Sequence, residues 1–164
     1  MNMALFATFG EFDSFEEINE LAENLFNEGD VASIRVLAGE NGIPEDFVGM
    51  YLEGDIPVLC DAMTAAVGKI TVEAEDLKVA GLMNDWVEYV KVRCQEEAVL
   101  AYMVRRKGKS LKGCIGELLK YSFMNQWEVP KEIKEAAKVN AGKVTFGVPD
   151  MATAKTIISR YYMG

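Results

Sequence analysis

The chain has 164 residues, half of them apolar and about a quarter charged, which suits an ordinary buried core and not a disordered segment. Its net charge of −9 is unevenly placed: residues 1–100 carry 21 Asp/Glu against 5 Lys/Arg, and residues 101–164 carry 5 against 12. Histidine is absent, which excludes Ser-His-Asp and Cys-His catalysis and any histidine general base.

Ser14, followed three residues later by Glu17, forms a capping-box pattern, and Phe15, Ile18, Leu21, Leu25 and Phe26 follow at helical spacing up to Gly29. Asp30 caps a second helix through Val31, Ile34, Leu37 and Ala38, which ends near Asn41-Gly42. Pro44 opens a third, with Phe47, Val48, Tyr51 and Leu52 inward and Gly54 after it. Pro57 is expected to open a fourth, running to about Gly68. A long helical stretch is expected from about Glu75 to Arg106, bent near Gln95 and broken at Lys107-Gly108-Lys109.

Ser110 then caps a helix whose apolar face is Leu111, Ile115, Leu118 and Leu119, and Pro130 starts a short one through Ile133. Val144 to Val148 reads as extended, and Asp150 caps a final helix carrying Met151, Ala154, Ile157, Ile158 and Tyr161. The expected class is all-α, a multi-helix bundle with at most one short β-hairpin and a helix-turn-helix-like hairpin near residues 31–53. The charge change divides the chain into an acidic helical lobe, 1–100, and a basic one, 101–164, packed as one globular unit.

The helix-turn-helix-like element has Ala38 at the helix crossing, Gly42 in the turn, and Ile43, Val48 and Tyr51 at buried positions. A DNA-binding version presents basic and polar groups to the major groove. Here the second helix carries Glu45, Asp46 and Glu53, with Asp55 just beyond, and these carboxylates would face phosphates. The surface suits a basic protein partner better than DNA.

The basic counterpart is the helix start flanked by Arg105, Arg106, Lys107, Lys109 and Lys112, where backbone N–H groups and cations converge as they do for a phosphate or another anion. Gly108-Lys109-Ser110 resembles the end of a nucleotide-binding loop, but Met103 stands where that loop requires glycine. Further on, lysines are interleaved with Tyr121, Phe123, Trp127, Tyr161 and Tyr162, a mixture compatible with DNA or RNA contact. Helical spacing places Phe123 and Tyr161 in the core.

No metal site or cofactor is expected. Cys60, Cys94 and Cys114 are far apart and read as packing residues, and Asp61 and Asp76 fall in helical pattern and not on neighbouring strands. The apolar runs fall short of a membrane span, and Met1 to Gly10 lacks a basic lead before the acid at Glu11 and Asp13. A cytoplasmic location without membrane contact is the expectation.

Two longer stretches carry a resemblance: Arg105 to Leu119, with Lys109-Ser110, Cys114 and Gly116, and Phe146 to Gly164, with Tyr161-Tyr162. Together with the opening Phe9 to Asn19 they resemble small mobile-element proteins of gut Firmicutes, and the Lys-Ser…Cys…Tyr-Tyr layout resembles the PcfK-like proteins of conjugative elements. Some such mobile-element proteins are anti-CRISPR inhibitors of Cas9. The resemblance therefore implies a non-enzymatic inhibitor that binds a Cas9-type effector, with or without guide RNA, and blocks DNA binding or cleavage. The alternative it implies is a nucleic-acid-binding accessory of a conjugative element or phage.

Overall fold

In the computed structural model the described residues are 4–164, so the first three residues of the Met1–Gly10 stretch lie outside them. Ser14 starts α1 (Phe15–Asn27): its hydroxyl accepts the Glu17 N–H at 3.3 Å, while the Glu17 carboxylate accepts the N–H of Asp13 at 2.8 Å. Asp30 caps α2 (Val31–Glu40) through the Ser33 N–H at 3.1 Å. Pro44 precedes α3 (Glu45–Glu53), which ends at Gly54 in the left-handed region. Ile18, Ala22 and Leu25 of α1 face Ile34, Leu37 and Ala38 of α2 and Val48 of α3 in one apolar cluster that also takes in Leu59. Burying each large aliphatic side chain there contributes about 1.5–3 kcal/mol, which the cluster needs to offset chain ordering.

The fourth helix starts later than Pro57. Asp61 accepts the Thr64 N–H at 2.7 Å and caps α4 (Ala62–Leu77), while residues 57–60 are not helical. Asn19 of α1 holds that stretch: its side chain donates to the Cys60 carbonyl at 2.8 Å and accepts the Cys60 N–H at 3.0 Å. The long helix expected from Glu75 to Arg106 is three helices. Lys78, in the left-handed region, ends α4, and Gly81, at φ +57°, precedes α5 (Leu82–Glu96). Glu97, extended at φ −138°, separates α5 from α6 (Ala98–Arg105), close to the bend expected at Gln95. α4 packs on both α5 and α6, with Ile70, Trp86, Val90 and Leu100 buried.

The chain divides into two compact units, the first ending at Lys112 and including Met163, the second being Gly113–Tyr162 with Gly164. The compositional step at residues 100 and 101 thus falls inside α6, within the first unit. α7 (Leu111–Met124) starts at the boundary, followed by β1 (Trp127–Glu128), α8 (Lys131–Ala136), β2 (Thr145–Phe146) and α9 (Met151–Met163). β1 and β2 pair antiparallel, Trp127 opposite Phe146 and Glu128 opposite Thr145, and α8 lies between them in sequence, so they are not joined by a tight hairpin turn. Asp150 caps α9 through the Thr153 N–H at 2.7 Å. Leu118, Val129, Ala154 and Ile158 are buried, whereas Leu119, Phe123 and Trp127 are exposed. Phe123 is 72% exposed and so is not the core residue that helical spacing suggested. The class is all-α with one two-stranded sheet among the described residues, and none of their helices is long and apolar enough to cross a membrane.

Candidate functional site

The helix-turn-helix-like element is α2 and α3. Ala38, Ile43 and Val48 are buried, Tyr51 is half-buried, and Gly42 makes the turn at φ +64° while the Ile43 N–H bonds the Ala38 carbonyl at 2.9 Å. With that face committed to the core, α3 turns its acid outward. Glu45, Asp46, Glu53 and Asp55 are all exposed. Arg35 of α2 pairs with Glu45, and Asp46, Glu53 and Asp55 enter no ion pair among the described residues. The geometry therefore presents an acidic helix on a fixed scaffold.

The basic segment behaves otherwise. Arg105 is 0% exposed: its Nη2 donates to Asn41 Oδ1 at 2.8 Å, its guanidinium lies 5.7 Å from the centre of the Phe6 ring, and its Nε and Nη1 have no hydrogen-bond partner among the described residues. Lys69, 1% exposed, donates to the carbonyls of Arg106 at 2.8 Å and Lys109 at 2.6 Å. It also faces Glu11 at 2.8 Å and Glu73 at 3.8 Å. Glu73 in turn accepts the Leu111 N–H through Oε2 and supplies the negative charge that the α7 N-terminus favours.

The place expected for a bound phosphate is thus partly filled by a carboxylate of α4. Arg105 belongs to the interior and not to a basic surface. Burial alone makes a lone guanidinium costly, and the carboxylates of Glu11 and Glu73 offset that cost. Of the remaining basic residues, Arg106, Lys107 and Lys112 are exposed and Lys109 is half-buried, with Arg106 Nε 3.9 Å from Asp13.

Desolvation sets the titration of this cluster. Burial pulls the Lys69 ammonium below its ordinary value, against the support of Glu11 and Glu73. Burial pushes the Glu73 carboxyl up, against the Leu111 N–H and Lys69. The strap carrying Phe6 and Glu11 is itself held by the Glu40 carboxylate, which accepts the N–H groups of Thr8 and Phe9.

All three cysteines are buried, and burial pushes the thiols of Cys60 and Cys94 up to about 12, which suits packing and not nucleophilic attack. Among the described residues no group of three metal-ligating side chains comes together. In the second unit a cavity of about 350 Å³ lies between α7 and α9, lined by Lys120, Tyr121, Arg160 and Tyr161 among others. Glu16, Glu20 and Glu23, not among the residues expected to bind, are exposed on α1 and line one groove with Phe26 and Tyr51. Their spacing of four and three residues was the available signal.

Comparison with protein-family models, with curated proteins and with solved structures finds no match.

Proposed function

We propose that this chain is a non-enzymatic binding protein whose acidic first unit engages a basic protein partner. The partner implied by the mobile-element resemblance is a Cas9-type effector, whose DNA binding or cleavage the bound chain blocks. The observation that carries this reading is the outward row of Glu45, Asp46, Glu53 and Asp55 on and just after a helix whose other side is buried. Residues up to Lys112 carry 21 acidic against 10 basic side chains, so the unit as a whole attracts a basic surface at long range. Pull-down with purified effector, with and without guide RNA, tests it. Capture at low salt that is lost on combining Glu45→Lys, Asp46→Lys and Glu53→Lys supports the reading, and no capture at low salt removes it.

A nucleic-acid-binding accessory role is the second reading, now resting on the second unit. Exposed Phe123 and Trp127, together with the cavity holding Tyr121, Tyr161, Lys120 and Arg160, favour stacking and phosphate contact there. Internal use of Arg105 and of the α7 N-terminus weighs against the segment 105–112 as the contact. Direct binding of single-stranded DNA or RNA, weakening steeply with salt and lost on Lys120→Glu with Arg160→Glu, would favour this role over the first.

A further inference from the structure

Along the outer side of α1 the first unit carries an open groove of about 690 Å³, walled by α1, the end of α3 and the loop 54–58. Its floor is apolar and aromatic. Phe26 and Val58 are 47% and 44% exposed, and the Phe26 and Tyr51 rings lie 5.7 Å apart in a tilted contact. Glu16, Glu20 and Glu23 stand along it, and among the described residues no Lys or Arg lines it. None of the three enters an ion pair among the described residues. The walls are tied together before any partner arrives, because both hydrogen bonds between Asn19 of α1 and the Cys60 backbone fix the loop that carries Pro57 and Val58. Such a groove loses little ordering entropy on binding.

We propose that this groove docks a basic amphipathic helix of a protein partner. The match is in charge, spacing and apolarity together. From Glu16 to Glu20 the rise along α1 is about 6 Å, and from Glu20 to Glu23 about 4.5 Å. A helix laid along this row carries Lys or Arg at the same four- and three-residue intervals, one cation per carboxylate. Its neighbouring positions then set Leu or Phe against Phe26, Tyr51 and Val58, where apolar anchors of helix-in-groove recognition sit. Polyanions are excluded by the same charges, so nucleic acid is not the occupant. The inference rests on the reading of the first unit as a binder of a basic protein, and gives that binding a second contact, apart from Glu45 and Asp46 at the start of α3.

The test uses the full chain and a synthetic helical peptide of about 20 residues, with Lys on one stripe at i, i+4 and i+7 and Leu on the next, followed by fluorescence anisotropy. A control peptide keeps every Lys and replaces Leu by Ala. The expected result is saturable binding that weakens about tenfold for the Ala peptide. It should weaken at least about tenfold for the protein carrying Glu16→Lys, Glu20→Lys and Glu23→Lys, while Glu45→Lys with Asp46→Lys changes it less than about twofold. The substituted α1 residues are exposed, and circular dichroism confirms that the variant folds.

Equal affinity for both peptides, or insensitivity to the α1 reversals, overturns the inference. So does a dimer in sedimentation that the α1 reversals dissolve, since the occupant would then be a second copy. Effector capture is read in parallel. Failure of the peptide with capture intact sinks the groove alone, and failure of capture with peptide binding intact removes the effector reading and leaves the groove standing.

Discussion

Gly42 and Gly68 meet backbone to backbone. A Cβ placed on Gly42 would lie 2.2 Å from the carbonyl oxygen of Gly68, and one on Gly68 would lie 2.2 Å from the carbonyl oxygen of Asn41. The turn between α2 and α3 therefore rests directly on α4, and the acidic helix takes its position from that contact.

Gly68 lies inside α4, where alanine would ordinarily be favoured by up to about 1 kcal/mol. Here the clash is with backbone, so Gly68→Ala is expected to destabilise by about 1–3 kcal/mol. Gly42→Ala, at φ +64°, adds the left-handed penalty and costs more. Gly116→Ala in α7 meets nothing within 4 Å and should stabilise. Urea midpoints of the three variants check the opposite signs.

Arg105 and Lys69 are structural cations. Arg105→Ala leaves the buried Asn41 Oδ1 without its donor and removes the longer-range support that the guanidinium shares with Glu11 and Glu73, for an expected loss of about 1–3 kcal/mol. Substitution of exposed Lys107 by Ala should change stability by less than about 0.5 kcal/mol. Equal effects in chemical denaturation would contradict the buried role.

Two carboxyl types give opposite pH signatures. Burial raises the Glu73 pKa above 4.5, so the folded state holds that proton more tightly than the unfolded chain. Its contribution favours folding at low pH and declines as pH rises from 4.5 through the folded value. The stability of the natural chain relative to Glu73→Gln should therefore fall over that window. Hydrogen bonds from Ser33 lower the Asp30 pKa below 3.8, so its contribution is present above 3.8 and lost as pH drops through the folded value. Asp30→Asn should remove that acid loss, read by thermal denaturation at a series of pH values.

Association with a basic partner should depend on salt mainly through the on-rate. Raising ionic strength from about 0.05 to 0.5 M shortens the screening length from about 14 to 4 Å. Stopped-flow rates with the captured effector are expected to fall at least about tenfold, with a much smaller change in dissociation. Unchanged association would remove charge steering from the proposal.

Much of the helical order is written locally. Ser14, Asp30 and Asp150 cap the helices that their own neighbours form, and Gly54 stops α3 within four residues of the bonds it completes. Pro57 misled because its loop is fixed by Asn19, 41 residues from Cys60, while the nearer cap signal, Asp61 with Thr64, set the true start of α4. The break at Lys78–Gly81 turns on a left-handed lysine, which no apolar period reveals.

The basic segment was the hardest to read. Its charges are consecutive in sequence, but Arg105 answers Asn41 across 64 residues and Leu111 answers Glu73 across 38. Local spacing carries no trace of such pairings. The acidic face of α3 was readable because its apolar partners, Val48 and Tyr51, lie on the same short helix.

The two tryptophans fall one to each unit: Trp86, 7% exposed, in the first, and Trp127, 52% exposed, in the second. Buried and wetted indoles emit at different wavelengths, so the chain carries an intrinsic spectroscopic label for each unit. Replacing either by phenylalanine leaves a single-colour reporter, with which loss of structure or arrival of a partner can be assigned to one unit without attaching a dye.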